Sequence, residues 1–311
     1  MSPPAPSEEP FSLADVLTDS LASLREDIRA HAGWSLIWIA LALTTCCGTS
    51  VLIGGIGAVA GVSSAASGGR PSMSTLMPLV ALVYLIVIPV MLALYAMQQA
   101  VVMDIVRARG RGSPTTMRQA IEHGVSRVPA LLGHMALRLV FEGVPLVVVY
   151  AIVAGVVFAS AGEMGPGMLA RVSPVVWVLV AIVYVLLIVA AFAYRAFYGL
   201  AFPCIVDGAG PYAAFGASRA LLAGRRMQFV GFRVTVTAVL LLSQCVCMGP
   251  YFVATYTHPG DPSAALVTLP LLLGFYAVLY FILVLDGMME AAFHVRVTRG
   301  RSVNEIAKTF E

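Results

Sequence analysis

Six long apolar stretches, near residues 34–61, 76–104, 130–160, 174–203, 229–256 and 264–292, govern what this chain can fold into. Crossing the hydrocarbon core of a bilayer takes about 20 helical residues, and each stretch exceeds that. The surplus length implies tilt, kinks or extension beyond the bilayer. Pro89, Pro145 and Pro270 lie inside the stretches and mark kinks. Gly57-x-x-x-Gly61, in the first stretch, favours close helix packing. Composition agrees: only 11% of the residues are charged, and the mean hydropathy is +0.90. A soluble domain carries about 25% charged residues. The expected fold is all-α, a polytopic bundle of six transmembrane helices with short cytoplasmic amphipathic helices.

Basic residues set the orientation. Arg107, Arg109, Arg111, Arg118 and Arg127 crowd the segment between the second and third spans. Arg219, Arg225 and Arg226 lie between the fourth and fifth, and Arg296, Arg299, Arg301 and Lys308 follow the sixth. The opposite loops, 62–75, 161–173 and 257–263, contain only Arg70 and Arg171. By the positive-inside rule both termini face the cytoplasm, which makes this a multi-pass protein of the cytoplasmic (inner) membrane. The N-terminus lacks a basic n-region before a short apolar core, so no cleaved signal is expected.

The connectors share a plan. Residues 1–10 are Pro-rich and acidic and read as a disordered tail. Residues 11–31 read as an amphipathic helix capped by Ser12 with Asp15, with Leu13, Leu17, Leu21, Leu24 and Ile28 on one face. It lies along the membrane surface or against the bundle. The membrane domain covers 32–296. Ser113-Pro114 is a helix start, and Met117, Ile121 and Val125 then share a face while Arg118 and Glu122 pair at i,i+4. Gly210-Pro211 opens a comparable helix with Tyr212, Phe215 and Leu222 on one side. Ser302-Val-Asn-Glu305 is a capping box for a closing helix within 297–311. A cytoplasmic helix thus precedes each pair of spans, and the exits RARGRGS (107–113) and RVTRGRS (296–302) read alike. The pattern implies three related helical hairpins, as in internally repeated membrane bundles.

The fourth-to-fifth connection, AYRAFYGLAFPCIVDGAGPYAAFGASRALLAGRRMQFVGF, is similar to the signature of the YciC-like bacterial proteins. The same signature occurs in the membrane domain attached to some glycerophosphodiester phosphodiesterases. The matching positions are Tyr194, Arg195, Pro203, Asp207, Gly208, Ala214, Ser218, Arg219 and Gly224. The resemblance implies a bacterial membrane module rather than the hydrolase, since about twenty residues follow the last span.

Charges within the spans are the candidate site, because ionisable groups in a bilayer face the bundle interior or water. Arg138 and Glu142 lie on the third span, Arg195 on the fourth, and Asp286 and Glu290 on the sixth; Arg233 and Asp104 fall nearer the surface. Besides snorkelling of its arginines to the interface, the band has two uses open to it. Arg195 pairs with Glu142 or Asp286 to hold the hairpins in register, or the group lines a cytoplasm-facing cavity for an anionic headgroup, a solute or a proton. His134 reads as a hydrogen-bonded packing residue. Arg107, Arg109, Arg111, Arg225 and Arg226 are candidate anionic-lipid contacts after their orienting role. The cysteines, Cys46, Cys47, Cys204, Cys245 and Cys247, lack zinc-site spacing and read as packing residues. No metal, cofactor or nucleic acid is expected. HExxH, GxSxG and P-loop motifs are absent, so an enzyme is not expected. The reading is a non-catalytic structural or interaction module that contacts the bilayer, an anionic lipid or a membrane protein partner. The alternative is a transporter or channel-like protein using the charged band.

Overall fold

The computed structural model describes residues 12–66, 73–113, 115–140, 147–149, 151–153, 155–156, 172–257 and 262–298. The principal elements among them are helical: α1 (Leu13–Glu26), α2 (Ile28–Ala66), α3 (Met73–Gly110), α4 (Met117–Arg138), α5 (Pro174–Tyr198), α6 (Ala201–Val206), α7 (Ala213–Leu221), α8 (Arg226–Thr257) and α9 (Pro262–Thr298). Shorter helical stretches occur at 147–149, 151–153 and 155–156, inside the predicted third span. The N-terminal tail, Glu142, Pro145 and the 302–305 capping box lie outside the described residues. Among the described residues, three helical stretches are long and apolar enough to cross a membrane: Ile28–Gly55, Leu85–Gly110 and Pro174–Val206. On the first and third of these the large apolar side chains point outward, Leu36, Leu43 and Leu52 on one and Leu179, Val185 and Leu186 on the other. Apolar surface of that extent is unfavourable in water and favourable in lipid. The chain is therefore an all-α, membrane-associated protein.

It divides into two compact units, Met1–Leu132 with Gly287–Arg301, and Gly133–Asp286 with Ser302–Glu311. In the first, α2 packs on α3, and α1 packs on both. Trp38 Nε1 donates to the Leu94 carbonyl at 2.8 Å, joining α2 to α3. A Cβ at Gly124 would stand 3.1 Å from the Val101 backbone nitrogen, so glycine lets α4 approach α3 closely. Two caps shape this unit. Ser12 and Asp15 form the expected capping box, with Ser12 N–H donating to Asp15 Oδ2 at 2.6 Å and Asp15 N–H to Ser12 Oγ at 3.2 Å. Helix α1 then stops at Asp27 rather than running to residue 31. The Asp27 N–H donates to the Ser23 carbonyl at 2.9 Å, and its own carbonyl accepts from Ala30 at 2.9 Å to start α2.

The second connector helix starts later than Ser113-Pro114 implies. It begins at Met117, behind a Thr116–Gln119 capping box: Thr116 N–H donates to Gln119 Oε1 at 3.0 Å and Gln119 N–H to Thr116 Oγ1 at 3.3 Å. The T-x-x-Q pattern is itself a start signal, and it outranks the proline because it satisfies two orphan donors. Thr116→Ala is expected to cost about 1 kcal/mol and to speed amide exchange in the first turn of α4, read by hydrogen–deuterium exchange. Gly112 (φ 69°) ends α3: its N–H donates to Arg109 at 2.8 Å, and Ser113 N–H to Ala108 at 3.0 Å. This is a Schellman cap, which needs the left-handed conformation that glycine adopts freely.

In the second unit α5 packs on α7 and α8, and α6 on α7. All six residues of α6 are buried. It too closes in a Schellman cap, with Gly208 at φ 111°, Gly208 N–H donating to Ile205 and Ala209 N–H to Cys204, both at 2.9 Å. That geometry turns the chain at Asp207-Gly208. Helix α7 spans the predicted amphipathic segment; Phe215 and Leu222 turn inward, but Tyr212 is exposed.

Candidate functional site

The connector in the second unit is built around buried polar atoms. Ser218 of α7 is fully covered, its hydroxyl accepting from Leu200 N–H at 3.0 Å and donating to the Phe197 carbonyl at 3.3 Å. One hydroxyl so serves two backbone groups where the chain leaves α5, which suits the small polar residue at this position. His134 Nδ1 lies 3.2 Å from the Pro211 carbonyl, to which it donates. Its ring packs against Phe215 at 4.5 Å and edge-on to Phe202 at 5.6 Å. It is the hydrogen-bonded packing residue that the sequence implies. Arg226 lies 4.2 Å over the Phe197 ring and Arg138 5.6 Å from the Tyr194 ring, both within cation–π range.

Arg233 and Asp286 form an ion pair in this unit. Arg233 Nη1 donates to Asp286 Oδ1 at 2.6 Å and Nη2 to Oδ2 at 3.2 Å, a two-pronged bond between α8 and α9. Arg233 is buried, and Asp286 nearly so. The sequence leaves Arg233 outside the charged band, yet it is Asp286's bidentate partner. Arg195 is half-buried near the end of α5. Glu290 is half-buried in the part of α9 that belongs to the first unit, and Glu142 lies outside the described residues.

The first unit carries a second set of charges. Asp104 is buried too, with Arg107 Nη2 at 2.5 Å and His123 Nδ1 of α4 at 2.9 Å from the same carboxylate oxygen. Arg109 holds both acids at the α1–α2 junction, bonding Glu26 and, at 2.9 Å, Asp27. Arg296 of α9 grips Asp19 of α1 from Nε at 2.5 Å and from Nη2 at 3.0 Å. That hydrogen bond raises the Arg296 pKa, with partial burial opposing it. The Ser12 hydrogen bonds, backbone first, hold the Asp15 carboxyl below its ordinary range, whereas burial raises that of Asp27. Arg111 and Arg225 are half-buried just outside α3 and α8. The arginines picked out for anionic lipid are all engaged within the protein, Arg107, Arg109 and Arg226 through the contacts given above.

The Arg233–Asp286, Arg109–Asp27 and Arg296–Asp19 pairs join residues 53 to 277 positions apart. Helical spacing exposes only local pairs such as Arg118–Glu122, observed at 2.8 Å on an exposed face. The one general signal for the distant pairs is that a charge in an apolar run needs a partner. Among the described residues no group of three or more His, Cys, Asp or Glu side chains is arranged for a metal ion. No family model, curated protein or solved structure matches the chain.

Proposed function

We propose that this chain is a six-span, non-catalytic protein of the cytoplasmic membrane, built from three related hairpins with both termini cytoplasmic. It serves as a structural or interaction module, with its cytoplasmic helices meeting lipid or a membrane protein partner. The YciC-like resemblance of the α5–α8 connector belongs to the same proposal. The observation that carries this reading is how the charges are used. Arg233–Asp286, Arg296–Asp19, Arg109–Asp27 and His123–Asp104 each join one helix to another element. Side chains so engaged favour a held scaffold over a solvated transport site.

Two measurements test it. A membrane-impermeant maleimide added to intact cells should label Gly165→Cys and Asp261→Cys but not Ser113→Cys, which should react only after lysis. Labelling of Ser113→Cys from outside would overturn the topology. In proteoliposomes the protein should pass neither protons nor chloride above the lipid background, and Arg195→Gln should lower thermal stability. Flux that Arg195→Gln abolishes without loss of folded protein would establish the transporter instead.

A further inference from the structure

The orientation of α1 is set by its acids. Asp19 is held by Arg296, Glu26 and Asp27 by Arg109, and Asp15 closes the cap with Ser12. All four carboxylates of the segment 12–36 are therefore engaged. With the helix held this way, Val16, Ser20 and Ser23 are buried. Much of the leucine stripe read from the sequence faces outward: Leu17, Leu21 and Ile28 are 37%, 46% and 56% exposed, while Leu24 is half-buried. Arg25 and Arg29 are exposed alongside them, with no acidic partner among the described residues. The exposed line continues past the Asp27 bend through Ala32 to Leu36, 70% exposed, at the start of a membrane-length apolar stretch.

We infer that α1 is an interfacial helix whose outer stripe sits in the headgroup region of an anionic leaflet. Leu17, Leu21 and Ile28 enter the acyl boundary, and Arg25 and Arg29 reach the lipid phosphates. Two features select lipid over a protein partner. The stripe is continuous with the outward apolar face of α2, and its charges are guanidiniums with no acidic partner among the described residues, the combination that binds anionic membrane surfaces. Long arginine stems can lie along the apolar layer while their heads stay at the phosphate level. The inference rests on the membrane reading above and names the occupant of one of its cytoplasmic surfaces.

The test uses the full chain in nanodiscs of equal parts phosphatidylcholine and phosphatidylglycerol. Photoreactive p-benzoylphenylalanine is placed at Leu21, and, as controls on the apolar helices, at Leu36 or Val185. Mass spectrometry should find lipid adducts at Leu21, enriched about tenfold in phosphatidylglycerol. Arg25→Gln with Arg29→Gln should remove that enrichment, and the unchanged adduct at Leu36 would show the fold intact. Crosslinking of Leu21 to a second copy, absence of lipid adducts there while Leu36 and Val185 form them, or lipid adducts without phosphatidylglycerol preference would each overturn the inference. Absence of lipid adducts at all three positions would remove the membrane reading along with it.

Discussion

Arg233→Met should destabilise the detergent-solubilised protein by about 3 kcal/mol, because it strands the Asp286 carboxylate in a largely covered position. A loss of this size corresponds to a fall of about 5 °C in the thermal midpoint. Asp286 accepts both bonds from Arg233, at 2.6 and 3.2 Å, and little water reaches either side chain to replace them. Removing both charges in Arg233→Met with Asp286→Leu should recover most of the loss, since a buried pair replaced by apolar groups is often near neutral. The two single variants and the double variant form a cycle whose coupling measures the pair. A single-variant loss below about 1 kcal/mol, the range of exposed pairs, would show that Asp286 is served by solvent or another donor.

Gly199→Ala should cost about 2 kcal/mol, against the usual gain on replacing glycine near a helix. A Cβ there would run into the ring of Phe229, which is fully buried, and would stand 2.7 Å from the Arg195 carbonyl oxygen. The ring is hemmed in, fully buried and packed by Phe232 at 5.6 Å between centroids. Gly199 closes α5 and donates to that same carbonyl at 2.9 Å, so the contact bears on the point where α5 gives way to α6 and meets α8. Phe229→Leu should relieve the clash, leaving the double variant less damaged than the sum of its parts. If Gly199→Ala unfolds at or above the parental midpoint, the close approach of α8 to this turn is wrong.

Local features were legible in the residues. The Ser12–Asp15 cap, the Arg118–Glu122 pair and the packing role of His134 each depend on groups a few positions apart or on a single residue's chemistry. The helical character of the apolar stretches followed from their length. The start of α4 was encoded as well, in Thr116 and Gln119, but the conspicuous proline drew attention three residues early. The inward face of α1 was the least legible. A leucine stripe at spacings of three and four marks an apolar face without saying whether protein or lipid receives it.

Length, apolar pattern and arginine placement alone determined that this chain is helical, suited to a membrane, and where its connectors fall. Those properties are set by backbone hydrogen bonding and by transfer of side chains from water, both of which act locally. Only the tertiary structure decided that Asp286 meets Arg233, that Asp104 meets His123, and that Arg296 and Arg109 take the acids of α1. The physical reason is that a charge specifies the need for a partner but not which one. Which guanidinium reaches a given carboxylate depends on how helices far apart in the chain pack, and the packing of α1 leaves Leu17, Leu21 and Arg25 facing outward.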